Sequence, residues 1–391
     1  MTEINISKSL NQLNIDNEYY NNLDIESFSQ MMKDPAFSYK FYWLEAMVNL
    51  VSEDVRETTF NDIIDEMISN AWYSVLEFHI HLSGIVMGEV RDGLERAIYC
   101  LQALSNLPAN ASKIEIKNAI KEHEEELKSY KVQLTNNVPY RALAGFFSKY
   151  DIAPNWSGIN RIVSYIEEVN SNIILPYTLG KSSSLKREVY FHPEWIKMIQ
   201  DNTVSILGWI QYEKVKWLQN NNPEVPGLVY KLAPMDEKMR KLKKVHELWD
   251  AIIEVRQIED IFTSNAIESK GYDVDHFIPW SYVMNDELWN LMPMDSSLNS
   301  SKSNKLPRWN PFFDKFANNQ FILYEAINDR RLTKIRKKYE GCFKDNLHSI
   351  WANQELYRSG NSKEEFYNIL EKNMRPVYDS AKRQGYQVWN I

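Results

Sequence analysis

Between residues 35 and 255 apolar side chains recur every three or four positions, the interval of a helix with one face turned to a core, so a long run of helices is predicted there. Asp34-Pro35 is expected to open one of them, carrying Phe41, Trp43, Leu44 and Val48, because proline has no N–H to leave unpaired in a first turn. Thr59 with Asp62, and Ser112 with Glu115, have the spacing at which each side chain satisfies the other residue's backbone N–H at a helix start. In IEIKNAIKEHEEELKSYKVQL (114–134), Ile116, Ile120 and Leu127 share a face opposite the charges, which predicts an amphipathic surface helix. FHIH (78–81) reads as a strand with His79 and His81 on one side, a packed or surface pair rather than a metal site. GKSSS (180–184) has the composition of a loop, EVYF (188–191) that of a short strand, and HPEW (192–195) starts another helix. NNNPEVPG (220–227) is the clearest interruption, since neither proline can continue the preceding helix. After it Met239, Leu242, His246 and Trp249 form a helical stripe, with His246 expected in the core.

From residue 272 the period changes to two. YDVDHF alternates apolar and polar side chains, so it is predicted to be a short strand delivering Asp275 and His276, on opposite sides, to its end. NLMPM (290–294) supplies a second strand, and DSSLNSSKSN (295–304) a helix capped by Asp295, Ser296 or Ser297 and carrying Asn299 and Lys302 in its first turns. Paired strands with this helix laid across them would let Asp275, His276 and Asn299 converge on one polar site. Trp280 has two readings, packing against the helix of Asn299 or walling a substrate groove.

The composition narrows the chemistry. Of 391 residues 44% are hydrophobic, enough for a substantial core without staples, and only Cys100 and Cys342 are present, too few for a disulfide framework or an all-cysteine zinc site. No stretch approaches the apolar length of a membrane helix, so a soluble, cytoplasmic protein is expected. The formal net charge of −8 repels polyanions overall, which leaves nucleic-acid binding to local basic runs. Two flank the polar site: 238–246, with Lys238, Arg240, Lys241, Lys243 and Lys244, and 330–338, with Arg330, Arg331, Lys334, Arg336, Lys337 and Lys338. Each is a solvated helix face or a phosphate-tracking surface.

Phosphodiester hydrolysis needs a cation on the phosphate oxygens, a base for water, and positive charge near the transition state. Asp275 and Asn299 offer hard oxygens of the kind Mg²⁺ prefers, held together with waters. His276 is suited to the base, since a free imidazole titrates at about 6.5. Lys302 supplies charge, and Asn290 is placed to hold the histidine loop by a hydrogen bond.

The order Asp275-His276-x-x-Pro279, Asn290-Leu291, Asn299-x-x-Lys302-Ser303-x-x-Leu306-Pro307 resembles the HNH, or ββα-metal, endonucleases. Its spacing is similar to the HNH domain of RNA-guided CRISPR effector nucleases. The resemblance covers about a tenth of the chain. It implies His276 as general base, Asp275 and Asn299 as ligands of one divalent metal, Asn290 as a positioning group, and products with 3′-hydroxyl and 5′-phosphate ends. Many relatives carry paired Cys-x-x-Cys zinc sites where this chain has MPMDSSLNSS, so no structural zinc is expected. Asn299, in place of the last histidine of the family name, favours Mg²⁺ or Mn²⁺. No other domain of the RNA-guided enzymes is identifiable, so no guide RNA is inferred. Through KWLQNNNPEVPGLVYKL and DHFIPWSYV the wider chain resembles bacterial HNH-domain proteins with a long helical N-terminal part, which implies defence against foreign DNA.

The expected protein is mainly α-helical with an embedded ββα-metal (HNH) module, α+β in class. A helical region over 1–254, with a break near 220–227, precedes the module over 255–320 and a helical region over 321–391. Its expected partner is DNA, with a homodimer or a regulatory protein as further partners. The alternatives are an RNA or single-stranded DNA nuclease, and a nucleic-acid-binding regulatory module with an inactive site.

Overall fold

The computed structural model describes residues 13, 15–33, 35–83, 92–149, 153–232, 240–269 and 271–391. Contacts divide the chain into two compact units, Met1–Pro223 and Glu224–Ile391, and the division falls inside the proline-bearing stretch 220–227. The protein is mainly helical with two small antiparallel sheets, an α+β fold. No described helix is long and apolar enough to cross a membrane.

The first unit contains α1 (Ile25–Ser29), α2 (Tyr39–Ser52), β1 (Glu57–Thr59), α3 (Phe60–Phe78), α4 (Gly93–Ser105), α5 (Lys113–Glu122), α6 (Glu124–Leu134), α7 (Val138–Arg141), α8 (Ala144–Phe147), α9 (Ile159–Asn170), β2 (Tyr177–Leu179), β3 (Glu188–Phe191), α10 (Pro193–Asp201) and α11 (Thr203–Asn221). Both reciprocal caps form, Thr59 with Asp62 at the start of α3 and Ser112 with Glu115 at the start of α5. EVYF is the central strand of the sheet β1–β3–β2. Three local expectations change. The helix foreseen from Asp34-Pro35 begins at Tyr39 instead, and Asp34 lies outside the described residues. The amphipathic stretch 114–134 is broken at His123 (φ −111°, ψ 31°) into α5 and α6, so its apolar face turns between the two. FHIH is no strand: α3 runs to Phe78 and closes on His79 in the left-handed region (φ 52°), so the two-residue period does not apply. His81 is buried with Nδ1 2.8 Å from the Glu95 carboxylate, and burial pushes His79 down to about 4.

The second unit contains α12 (Lys243–Ile253), β4 (Tyr272–His276), α13 (Trp280–Val283), β5 (Leu291–Asp295), α14 (Ser296–Lys302), α15 (Trp309–Asn328), α16 (Thr333–Asn346) and α17 (Lys363–Arg383). β4 and β5 pair antiparallel, Tyr272 opposite Asp295 and His276 opposite Leu291, and α14 packs against both strands. Gly271, at φ 101°, turns the chain into β4 through a backbone region that side chains disfavour. Tyr272 and Val274 enter the core while Asp273 and Asp275 stay half-buried on the other side. β5 buries four successive residues and ends on exposed Asp295, whose carboxylate accepts from the Ser297 and Leu298 N–H groups and starts α14. Pro293 is tolerated because each strand of a two-stranded ribbon is an edge. Trp249 and Ile252 of α12, Met292 and Met294 of β5, Phe313 and Phe316 of α15, and Phe366 and Leu370 of α17 share one core with the ribbon. Burial of this kind stabilises by roughly 1.5–3 kcal/mol for each large side chain fully removed from water.

Candidate active site

The two-residue period of β4 divides its polar side chains between two environments. On the side facing α14, Asp275 Oδ2 accepts from Lys302 Nζ at 2.7 Å and Asp273 Oδ2 accepts from Asn299 Nδ2 at 3.2 Å. Asn299 and Lys302 are three apart on the helix, as the aspartates are two apart on the strand, so the pairs form successive rungs between β4 and α14. Lys302 is fully buried, and its ammonium also donates to the His276 carbonyl at 2.8 Å.

The imidazole of His276 meets a different set of groups. Its Nε2 lies 3.0 Å from Asp286 Oδ1 and 3.2 Å from the Asn285 carbonyl, and both side chains of the His276–Asp286 pair are almost fully buried. Two acceptors at Nε2 assign the proton to that nitrogen. Nδ1 then carries the lone pair, and no described residue bonds to it. Asp286 is itself fastened: Oδ2 accepts from the Lys241 N–H, and its carbonyl accepts from buried Asn346 Nδ2 at 2.7 Å. Beside it, Glu287 accepts from the His348 and Ser349 N–H groups.

Asn290, fully buried, holds the chain just beyond the histidine. Its Oδ1 accepts from Ile278 N and its Nδ2 donates to Ile278 O, both at 2.8 Å. Asn290→Ala would strand two buried backbone groups, and a loss on the order of 2–4 kcal/mol of stability is expected from urea denaturation. Asn290→Asp, which keeps the acceptor but sets a buried carboxylate oxygen against the Ile278 carbonyl, should lose at least as much; equal stability of Asn290→Ala and the parent protein would remove the clamp.

The residues singled out in the sequence are therefore brought together in part. Asp275, Asn299 and Lys302 share the β4–α14 face, Asn290 secures the following turn, and no hydrogen bond links the His276 imidazole to Asp275 or Asn299. In the sequence Asp273 flanks the strand and Asp286 sits in a turn, and both lie near enough to assist; in the structure they are the direct partners of Asn299 and His276. Nothing in the sequence singles out Asp260, whose buried carboxylate accepts from Phe262, Thr263 and Asp295 N–H groups and ties the preceding loop to the end of β5. Asp273 was findable, since it occupies the same strand face as Asp275; the other two carry no local signal.

The basic runs also separate. In the second, Arg331 pairs with Asp329, Lys334 with Glu254, Arg336 with Glu340 and Lys338 with Glu247, while Arg330 and Lys337 are exposed. In the first, Lys244 pairs with Asp345, Lys241 is held through its backbone, and Lys238 lies outside the described residues, as does Met239. Arg240 and Lys243 are exposed, the Arg240 guanidinium lying 4.9 Å from the centre of the Trp280 ring. His246 is not a core residue: its side chain is 42% exposed and stacks on Tyr272 at 4.6 Å, because the apolar stripe of α12 runs through Val245, Leu248, Trp249 and Ile252.

A two-stranded ribbon with acids on one face, a clamped histidine at its end and a short helix packed across it has the ββα arrangement. Residues 259–308 match the family model described as HNH endonuclease, so the chain carries an HNH endonuclease domain, which points to a nuclease that binds nucleic acid. No curated protein and no solved structure matches the chain.

The donor set fits a hard divalent cation. Asp273, Asp275 and Asn299 belong to the paired β4–α14 face through Oδ2, Oδ2 and Nδ2, and no hydrogen bond to Asp273 Oδ1, Asp275 Oδ1 or Asn299 Oδ1 occurs among the described residues. No cluster of three or more histidine, cysteine, aspartate or glutamate side chains able to hold a metal occurs among the described residues. One or two carboxylates with waters is the way Mg²⁺ is commonly held.

Proposed function

We propose that the protein is a Mg²⁺- or Mn²⁺-dependent endonuclease that hydrolyses phosphodiester bonds in duplex DNA. The observation that carries this reading is the pairing of two hard-oxygen rungs on one side of β4 with a carboxylate-anchored histidine at its end. Asp275 and Asn299, with Asp273 beside them, would hold the cation. Bound there, it would supply positive charge to the non-bridging and leaving oxygens of the phosphate. His276 takes the proton of the attacking water at Nδ1, and Asp286 fixes its tautomer and steadies the charge that appears on the ring. Lys302 keeps Asp275 oriented and places an ammonium beside the reacting phosphate.

One such site cuts one strand, so a double-strand break needs a second site, and a symmetric dimer is the simplest source of it. We place the activity in defence against foreign DNA, with the acidic net charge restraining cleavage until a partner or signal engages the helical unit.

Supercoiled plasmid, single-stranded DNA and RNA incubated side by side with Mg²⁺, Mn²⁺ or EDTA test the assignment. Nicking of the plasmid with either cation and none in EDTA is expected. Undiminished cleavage in EDTA would remove the metal, preferential loss of RNA would change the substrate, and intact substrates throughout would leave the inactive-module alternative standing.

A further inference from the structure

Beside the metal-facing rungs lies a cavity of about 450 Å³, with Arg240, Lys243 and His246 on one wall and Asp273 and Asn299 on the other. The basic wall belongs to the chain before and within α12, outside the residues matched by the HNH family model. From this juxtaposition we propose that the cavity is a backbone-phosphate subsite, in which Arg240 and Lys243 grip the phosphates next to the one that is cut. The proposal rests on the nuclease reading and adds the path by which the strand reaches the site.

Three features favour it. First, no carboxylate lies at ion-pair distance from Arg240 or Lys243 among the described residues, Lys243 feeling Glu247 only at longer range, whereas five other cations of the two basic runs sit in ion pairs. Glu247, an acid on the same wall, is occupied by Lys338 at 2.6 Å. On a chain of net charge −8, unneutralised cations beside the candidate site are where a polyanion gains most.

Second, the wall is preorganised. The Arg240 guanidinium rests on Trp280, which leaves its N–H fork directed by the ring plane. The next residue, Lys241, is anchored through both of its backbone polar groups: its N–H donates to the Asp286 carboxylate that meets His276, and its carbonyl accepts from Asn346 Nδ2 at 3.0 Å. Arg240 therefore stands at a fixed offset from the base, and little ordering entropy remains to be lost when phosphate binds.

Third, His246 continues the same wall as a fixed ring. Stacking on Tyr272 sets the ring plane, and the contact of Nδ1 with Asp250 at 3.1 Å holds it there beside the two cations.

The test separates binding from cleavage. In a His276→Ala background, fluorescence anisotropy with labelled duplex across a range of salt compares Arg240→Ala/Lys243→Ala with Lys334→Ala/Arg336→Ala. The first pair should weaken binding about tenfold or more and flatten the log–log salt slope by roughly two, about one per lost phosphate contact. The second pair should change affinity less than about twofold, its charges being already paired. In the cleavage-competent protein the loss should appear in KM, and the charge-conserving Arg240→Lys/Lys243→Arg should recover most of the slope, which a merely misfolded wall would not. Unchanged affinity and slope in Arg240→Ala/Lys243→Ala, with plasmid nicking intact, overturns the subsite and leaves the nuclease standing. A parent protein that binds no duplex at any salt overturns both.

Discussion

His276→Ala is expected to slow plasmid nicking by about 10²–10⁴-fold, the range that a positioned general base contributes. The argument runs through the two ring nitrogens. Nε2 is committed to Asp286 and the Asn285 carbonyl, so the acceptor lone pair sits on Nδ1. Alanine removes that acceptor while leaving the rungs of Asp273–Asn299 and Asp275–Lys302 in place, so Mn²⁺ binding followed by paramagnetic resonance should survive. Asp286→Asn is the companion experiment. An asparagine side chain accepts the Nε2 proton more weakly and cannot balance charge on the ring, so kcat should fall about 10–100-fold with little change in KM. The one amide oxygen of that variant can serve only one of the two donors, the Nε2 proton or the Lys241 N–H, so urea denaturation run beside the rates should show a modest loss of stability. Nicking by His276→Ala at the parent rate would dispose of the base, and a drop confined to KM in Asp286→Asn would reduce the aspartate to a structural brace.

The second large effect is expected at Asp275, where stability and activity are coupled. Lys302 is buried and its ammonium has two partners, Asp275 Oδ2 and the His276 carbonyl. Asp275→Ala removes the compensating charge and leaves an ammonium in the interior, a change that costs about 3–5 kcal/mol in comparable buried pairs. The aspartate side chain is 15% exposed and so admits some water, which places the expected loss near the lower end of that range. Cleavage should fall below detection at the same time, because a candidate cation ligand is gone. Lys302→Met separates the two consequences. It removes the ammonium but leaves the Asp275 carboxylate unpaired and the His276 carbonyl without its donor, so stability should fall here too, by less than in Asp275→Ala because the carboxylate keeps some access to water. Asp275, released from its partner, should then bind Mn²⁺ more tightly, while nicking slows for want of positive charge near the phosphate. Calorimetric titration with Mn²⁺ and urea denaturation of the three proteins decide the matter: weaker Mn²⁺ binding in Lys302→Met would show that the lysine is not competing for the carboxylate.

Much of the local architecture was legible in the chain itself. The alternation in YDVDHF, the apolar run LMPM and the capping aspartate at 295 specify strand, strand and helix through neighbours within a few residues, and the same holds for Thr59 with Asp62 and Ser112 with Glu115. Such features depend on backbone period and on side chains reaching their own turn, so a linear reading captures them. Where two local tendencies competed, the reading failed: His79 ends a helix where alternation suggested a strand, and His123 breaks a stretch whose apolar spacing looked continuous.

Partnership across distance is another matter. That Asp286 orients His276, that Asp273 rather than Asp275 meets Asn299, and that Lys302 is buried depend on how a loop and a helix close over β4. The contrast between the two basic runs is longer-ranged still, since Lys334 and Lys338 are neutralised by Glu254 and Glu247 from a segment some eighty to ninety residues earlier. Charge is a property of the residue, but whether it is free to meet a phosphate is a property of what packs beside it. Periodicity carries no information about that neighbour, and folding supplies it.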